Sequence, residues 1–80
     1  MSTLSIEVEP LATEVICDDD SLRVVLADGR EIAVPIVWFP RLQNASRADR
    51  ENWRLIGGGI GIHWEAVDDD ISVESLLRLK

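Results

Sequence analysis

His63 is the only side chain in this 80-residue sequence that titrates near neutrality, so any general-base or metal chemistry must run through it. It lies in the run Gly57-Gly58-Gly59-Ile60-Gly61-Ile62-His63-Trp64. A closed zinc site needs four ligands and a catalytic one three, yet there is no second histidine and Cys17 is the only cysteine. Nothing in the spacing gathers Cys17, His63 and carboxylates, so no metal is expected. His63 is read as a histidine on a sheet face or at an interface. The glycine run invites a phosphate loop, but a dinucleotide fingerprint begun at Gly57 needs a third glycine where Ile62 stands, and the P-loop lysine is missing because Lys80 is the sole lysine. The runs Asp18-Asp19-Asp20 and Asp68-Asp69-Asp70 suggest calcium only superficially. An EF-hand loop wants Gly at its sixth place and Glu at its twelfth, where the first run gives Arg23 and Gly29 and the second Val73 and Leu79. Both are expected as turns. With no tyrosine and no nucleophile motif, the chain is expected to be no enzyme and to need no cofactor.

A contact surface is the alternative use for the unusual residues. Trp38, Phe39, Trp53 and Trp64 offer large apolar area with indole N–H groups that need partners, a combination suited to interfaces. Two of the four are expected in the core and the others partly exposed. Arg47, Arg50 and Arg54 would gather on one side of a helix, either as a solvated face or as a contact for an acidic partner. These seven residues and His63 form the candidate partner-binding set.

The elements that must position them follow from periodicity. Residues 1–10 are a weakly patterned lead-in stopped by Pro10. Thr13, Val15 and Cys17 alternate with Glu14, Ile16 and Asp18 as a strand, and Leu22, Val24 and Leu26 repeat the pattern in a second. Asp28-Gly29 marks a hairpin of type I′, and Arg30 to Val34 continue as a third strand closed by Pro35, which has no N–H for the ladder. A three-stranded antiparallel meander is thus expected. Pro40 breaks the apolar stretch 36–42 into an irregular connection or a short helical turn. Asn44 or Ser46 offers an N-cap, with Asp49 at the capping-box place relative to Ser46, for a helix over about residues 47–56 stopped by Gly57. Residues 59–65 leave room for a short fourth strand with Ile60, Ile62 and Trp64 on one face and Gly61, His63 and Glu65 on the other. Ser72 caps a last short helix with Val73, Leu76 and Leu77 as its apolar stripe. The fold class expected is α+β, one small domain over 1–80.

Eighty residues bury roughly 60–65% of their unfolded surface, and a core of this size leaves only about 3–5 kcal/mol of net stability. Self-association or a partner is the expected reinforcement, since a lone cysteine forms no internal disulfide. Net charge is −7, with a balance of −6 over residues 1–40, +2 over 41–54 and −3 beyond. Such a surface repels phosphate backbones, so direct nucleic-acid binding is not expected. No apolar run approaches a membrane span and no signal peptide heads the chain, so a cytoplasmic protein is expected.

The series Trp38-Phe39-Pro40-Arg41-Leu42, Trp53-Arg54-Leu55-Ile56-Gly57-Gly58-Gly59 and Gly61-Ile62-His63-Trp64 resembles the bacterial domain-of-unknown-function family 2442, most strongly over residues 28–77. The resemblance implies a small α+β domain, often encoded beside another small protein in arrangements like toxin–antitoxin pairs and in some members joined to a helix-turn-helix. The sequence ends at Lys80 without that extension, so a DNA role by fusion is not expected. The function expected is a non-enzymatic protein-interaction module, antitoxin-like, a homodimer or bound to the product of an adjacent gene. The competing expectation is a small ligand-binding or enzymatic domain centred on His63.

Overall fold

Strand pairing begins where the apolar alternation does. The computed structural model, which describes residues 10–78, opens with β1 (Ala12–Cys17), β2 (Ser21–Leu26) and β3 (Glu31–Pro35), an antiparallel sheet in that order. On β2, Leu22, Val24 and Leu26 are buried while Ser21, Arg23 and Val25 are half-exposed. Val34 stands opposite Leu22 and Ile32 opposite Val24, so β3 adds to the same apolar face before Pro35 ends it. The meander expected from the sequence is therefore present. All but Pro10 of the lead-in 1–10 lies outside the described residues.

Two local details differ from expectation. Thr13 is the extra residue of a bulge: Ala12 pairs with Leu26 and Glu14 with Val25, leaving Thr13 unpaired with its hydroxyl donating to the Val25 carbonyl. The bulge reverses the phase, so Ala12 rather than Thr13 shares the buried face with Val15. At the β2–β3 hairpin only Gly29 has positive φ (96°), whereas a type I′ turn needs it at both central residues. The Leu26 amide donates to Arg30 and the Gly29 amide to Leu26, which makes a three-residue loop ending in a left-handed glycine. Asp28 completes it by accepting from the backbone and the Nε of Arg30.

The second half departs further. Ile36–Trp38 is a 3-10 turn, followed by α1 (Pro40–Gln43) and α2 (Arg47–Glu51). Ser46 caps α2 as expected, accepting from the Asp49 amide, but the helix does not run to Ile56. It stops at Asn52, and Trp53–Ile56 is a strand, β4, paired antiparallel with β5 (Gly61–Trp64). Aromatic and β-branched residues at Trp53 and Ile56, with Trp53 and Leu55 turned inward, suit a pleated half-buried surface better than a helical stripe that would have had to bury Asn52. Gly57 has the positive φ expected of it (61°), yet as part of a hairpin. With Gly58 (74°) it fills a turn in which the Gly59 amide donates to Ile56. Asp69–Ser72, expected as loop and cap, is a sixth strand, β6, on the other side of β5. Ser72 also caps α3 (Val73–Arg78), accepting from the Ser75 amide. The chain is thus α+β with two three-stranded sheets, and the fourth strand expected from the sequence is the centre of the second.

The buried faces of both sheets meet in one cluster that includes Leu22, Val24, Ile36, Leu42, Ile62 and Trp64. The sheets are also tied at the backbone, where the Ala12 amide donates to the Gly59 carbonyl at 2.8 Å, while the Val73 amide donates to Ile60 at 2.9 Å and extends the β5–β6 ladder. Gly59 is buried at φ 117°, and a Cβ there would stand 2.5 Å from the Ala12 carbonyl oxygen and 2.9 Å from its nitrogen. Gly59→Ala is therefore expected to cost on the order of 3 kcal/mol, combining backbone strain with a clash against main chain that has no rotamer to move. Gly58→Ala, at positive φ but in open space, should cost only about 1 kcal/mol. Urea unfolding of the two variants checks the order, and equal losses would mean that the contact with Ala12 is not what Gly59 serves.

Candidate functional site

The outer face of the second sheet gathers the titratable groups. Register places Arg54, His63 and Asp70 in one row across β4, β5 and β6. Because the Val73 amide bonds to Ile60, residues 60, 62 and 64 turn their backbone toward β6, which makes His63 and Asp70 a non-hydrogen-bonded pair, the closer kind. The two side chains meet directly, His63 Nδ1 on Asp70 Oδ1, while His63 Nε2 lies 3.2 Å from Glu65 Oε1. That same Glu65 oxygen is 3.8 Å from Arg54 Nε. Charges therefore alternate along Asp70, His63, Glu65 and Arg54. A carboxylate only accepts, so both ring contacts are hydrogen bonds solely when the imidazole carries two protons. The hydrogen bond to Asp70 accordingly pushes the His63 pKa up, against the desolvation of a ring only 12% exposed, with the Asp70 and Glu65 charges adding to the rise and Arg54 opposing it.

Arg50 has a different task from the solvated face or acidic-partner contact expected of it. Its side chain is 9% exposed, with Nε donating to the Leu42 carbonyl at 2.8 Å, Nη2 to the Gln43 carbonyl at 2.7 Å and Nη1 to the Asp19 carboxylate. Its own carbonyl accepts from the Trp64 indole at 3.0 Å. One residue thus closes the C-terminal end of α1, holds the β1–β2 turn and seats the central tryptophan. The turn itself is set by Asp18, whose carboxylate accepts the Asp20 and Ser21 amides and is held below the usual carboxylate range by them.

Beside Arg50 a groove of about 380 Å³ runs between β1 with its turn and the α2–β4 segment, lined among others by Val15, Cys17, Asp19, Arg47 and Trp53. Burial pushes the Cys17 thiol up, with Arg50 opposing. At neutral pH Cys17 is therefore a protonated, apolar lining group rather than a nucleophile.

The candidate set is divided among four places. Arg54 and His63 share the outer row, while Arg47, Arg50 and Trp53 border the groove. Trp64 is fully buried and offers no surface. Phe39 packs half-buried against the core, and Trp38 stands exposed beside Val37. Of the four aromatics only Trp64 is fully enclosed, against the two expected. Asp70, Glu65 and Asp19 were not singled out individually in the sequence. A His flanked within two residues by Glu65 in a strand facing an acidic run was the available signal. Among the described residues no three His, Cys, Asp or Glu side chains are placed to hold a metal ion, and no helix is long and apolar enough to cross a membrane.

A family model described as "Protein of unknown function (DUF2442)" matches residues 12–80. The fold is similar to a crystal structure of a protein of unknown function from Rhodospirillum rubrum ATCC 11170, 30% identical over 89% of this chain and 88% of that one, with a TM-score of 0.76. It is also similar to a solution NMR structure of an uncharacterized protein from Chromobacterium violaceum, 17% identical over 98% and 85% of the two chains with a TM-score of 0.71, a likeness of fold alone. No curated protein matches.

Two outcomes follow from the polar contacts. Since the His63 pKa is raised in the folded chain, its contribution to stability is complete below the unfolded value near 6.5 and is lost as pH rises through the folded value. Urea midpoints measured against pH should fall across that window in the wild type and stay flatter in Asp70→Asn, while an NMR titration of the ring shows its pKa dropping in that variant. Arg50→Met leaves two carbonyls without their charged donor and should cost on the order of 3 kcal/mol. Circular dichroism melts that change by less than a few degrees would show that Arg50 is dispensable.

Proposed function

The chain belongs to the DUF2442 family of proteins of unknown function, and we propose that it is a non-enzymatic protein-interaction module, the antitoxin-like half of a two-gene pair working in the cytoplasm. The observation that carries this reading is the adjacent pair Val37 and Trp38, which stand 57% and 44% exposed in the 3-10 turn. An exposed tryptophan beside a β-branched residue, on a domain with so small a core, is the kind of anchor around which interface energy concentrates. The net charge of −7 favours a basic partner. Two groups that catalysis would need support the non-enzymatic side. Both nitrogens of the one imidazole are engaged by carboxylates, and the one thiol has a raised pKa.

A carboxylate–imidazole pair on an open sheet face is the observation that favours the second reading, a ligand-binding or enzymatic domain centred on His63. It would require Glu65 to release Nε2 before that nitrogen could act on anything else.

Co-expression with the product of the adjacent gene, followed by light scattering at micromolar concentration, tests the proposal. A complex with that product, or a homodimer, is expected. Trp38→Ala should weaken it by at least about tenfold, whereas exposed Arg47 contributes little and Arg47→Ala should stay within about threefold of wild type. A monomer that binds neither itself nor that product would sink the reading.

A further inference from the structure

Three consecutive aspartates close the β1–β2 turn, and two of them have structural work. The Asp18 carboxylate accepts the Asp20 and Ser21 amides, and Asp19 pairs with the buried Arg50. The Asp20 carboxylate is exposed and has neither a hydrogen bond nor an ion pair among the described residues. Nearby cations are engaged elsewhere. Arg50 is held by Asp19, Arg23 lies 3.9 Å from Glu31, and Arg41 donates to the Asp68 carbonyl at 3.1 Å. Asp20 therefore keeps its charge for solvent or for a newcomer.

The same residue ties the turn to the exposed aromatic segment. The Asp20 carbonyl accepts the Ile36 amide at 3.0 Å, and Ile36 begins the 3-10 turn that carries Val37 and Trp38. Ile36 is buried and anchors that turn, whereas Pro35, Val37, Trp38 and Pro40 around it are exposed. A 3-10 turn advances about 2 Å per residue, which puts Trp38 only about 4 Å further along it than Ile36. Two residues of an extended segment, about 7 Å, span that distance. Apolar area and a free negative charge are thus presented side by side. An exposed tryptophan also attracts cations through its ring face. Both features select the same chemistry, positive charge beside an apolar side chain.

We propose that Val37, Trp38 and Asp20 form a docking patch for a basic segment of a partner protein, in which an apolar side chain covers Val37 and a neighbouring Arg or Lys lies against Trp38 with its charge toward Asp20. The apolar contact supplies most of the affinity, and Asp20 selects against neutral or acidic competitors. The net charge of −7 steers a basic segment toward the domain, and Asp20 fixes where its charge goes on arrival. This rests on the interaction-module reading and adds to it the charge of the partner and the residue that reads it.

Peptides selected on the wild-type protein from a random nine-residue display library supply the probe. Their common pattern should place Arg or Lys within two positions of an apolar residue. At about 50 mM salt, Trp38→Ala should weaken binding of a selected peptide by about tenfold or more. Asp20→Asn should weaken it by about threefold and Asp20→Lys by about tenfold. At about 0.5 M salt, where exposed charges are screened, both Asp20 variants should come within about twofold of wild type while Trp38→Ala stays weak. A peptide with its cation replaced by Glu should bind Asp20→Lys better than it binds wild type. Both residues are exposed, so circular dichroism melts that match wild type separate a lost contact from a lost fold. A pattern without a cation, wild-type affinity of Asp20→Lys at low salt, or a loss that salt does not reverse would overturn the proposal. Where Trp38→Ala still weakens binding in those cases, the interaction-module reading stands. Failure to select any peptide overturns the docking patch, and overturns both readings when the chain also binds neither itself nor the product of the adjacent gene. A wild-type homodimer that Trp38→Ala dissociates assigns the patch to a second copy and likewise overturns it.

Discussion

The Arg50 guanidinium is the contact on which the joining of the two halves depends. Burying a cation is unfavourable unless it is both paired and hydrogen-bonded. Arg50 meets that condition with three acceptors from two separate parts of the chain, namely the carbonyls of Leu42 and Gln43 and the carboxylate of Asp19. The carbonyls of a helix as short as α1 have few partners of their own, so the guanidinium does for them what a longer helix would do internally. Asp19 remains 77% exposed, which keeps the ion pair partly hydrated and limits its own desolvation. The pair therefore works mainly by geometry: it sets the β1–β2 turn against α2, and α2 in turn presents a carbonyl to the Trp64 indole.

That last bond explains how the second sheet finds its place. Trp64 is the largest fully buried side chain, and its N–H would be an unsatisfied donor in the core without the Arg50 carbonyl. From Trp64 the pleat dictates the rest of β5: Ile62 points inward with it, and His63 must point outward. The outer polar row is thus a consequence of core packing. Gly59 does the corresponding work at the far end, where only a residue without a Cβ allows the hairpin to approach Ala12 closely enough for a backbone bond. Two small polar ties, one a buried cation and one a main-chain bond through glycine, hold together sheets whose shared apolar core is modest.

The elements legible in the sequence were those in which period and turn chemistry agree. β2 and β3 alternate cleanly and are bounded by Asp28-Gly29 and Pro35, and Ser46 announces a helix that forms where it predicts. Residues 53–56 were misread because Trp53, Ile56 and Ala48 satisfy a helical spacing as well as a pleated one, and a pleat is preferred only once β5 is available to pair with it. Arg50 reads as part of a solvated face or an acidic-partner contact because arginine is mostly exposed, and nothing local reveals that Leu42, Gln43 and Asp19 converge on it from 7 to 31 residues away. His63 was correctly given a sheet face, yet its partner Asp70 looked like loop, since a run of three aspartates is a poor strand former by composition. β6 exists because it pairs with a central strand and feeds α3, not because its residues favour extension.

The same constraints divide the surface by role. On the outer face of the second sheet each charged group of the row has a neighbour of opposite sign, so its charges are paired internally while Arg54, Glu65 and Asp70 stay exposed to solvent. Along β1 the ties run to the rest of the fold instead. The strand is bonded to β2 on one side, capped by Gly59 at one end and pinned through Asp19 at the other, with Val15 buried in its middle. Natural sheets blunt such edges with charge, proline or a bulge, because an open edge invites pairing with whatever strand arrives. Here the bulge at Thr13 and the aspartates at 18 and 19 stand at the two ends, and α2 and β4 pack beside the strand between them. An edge guarded at both ends and covered in the middle gives an arriving strand no template for indiscriminate pairing.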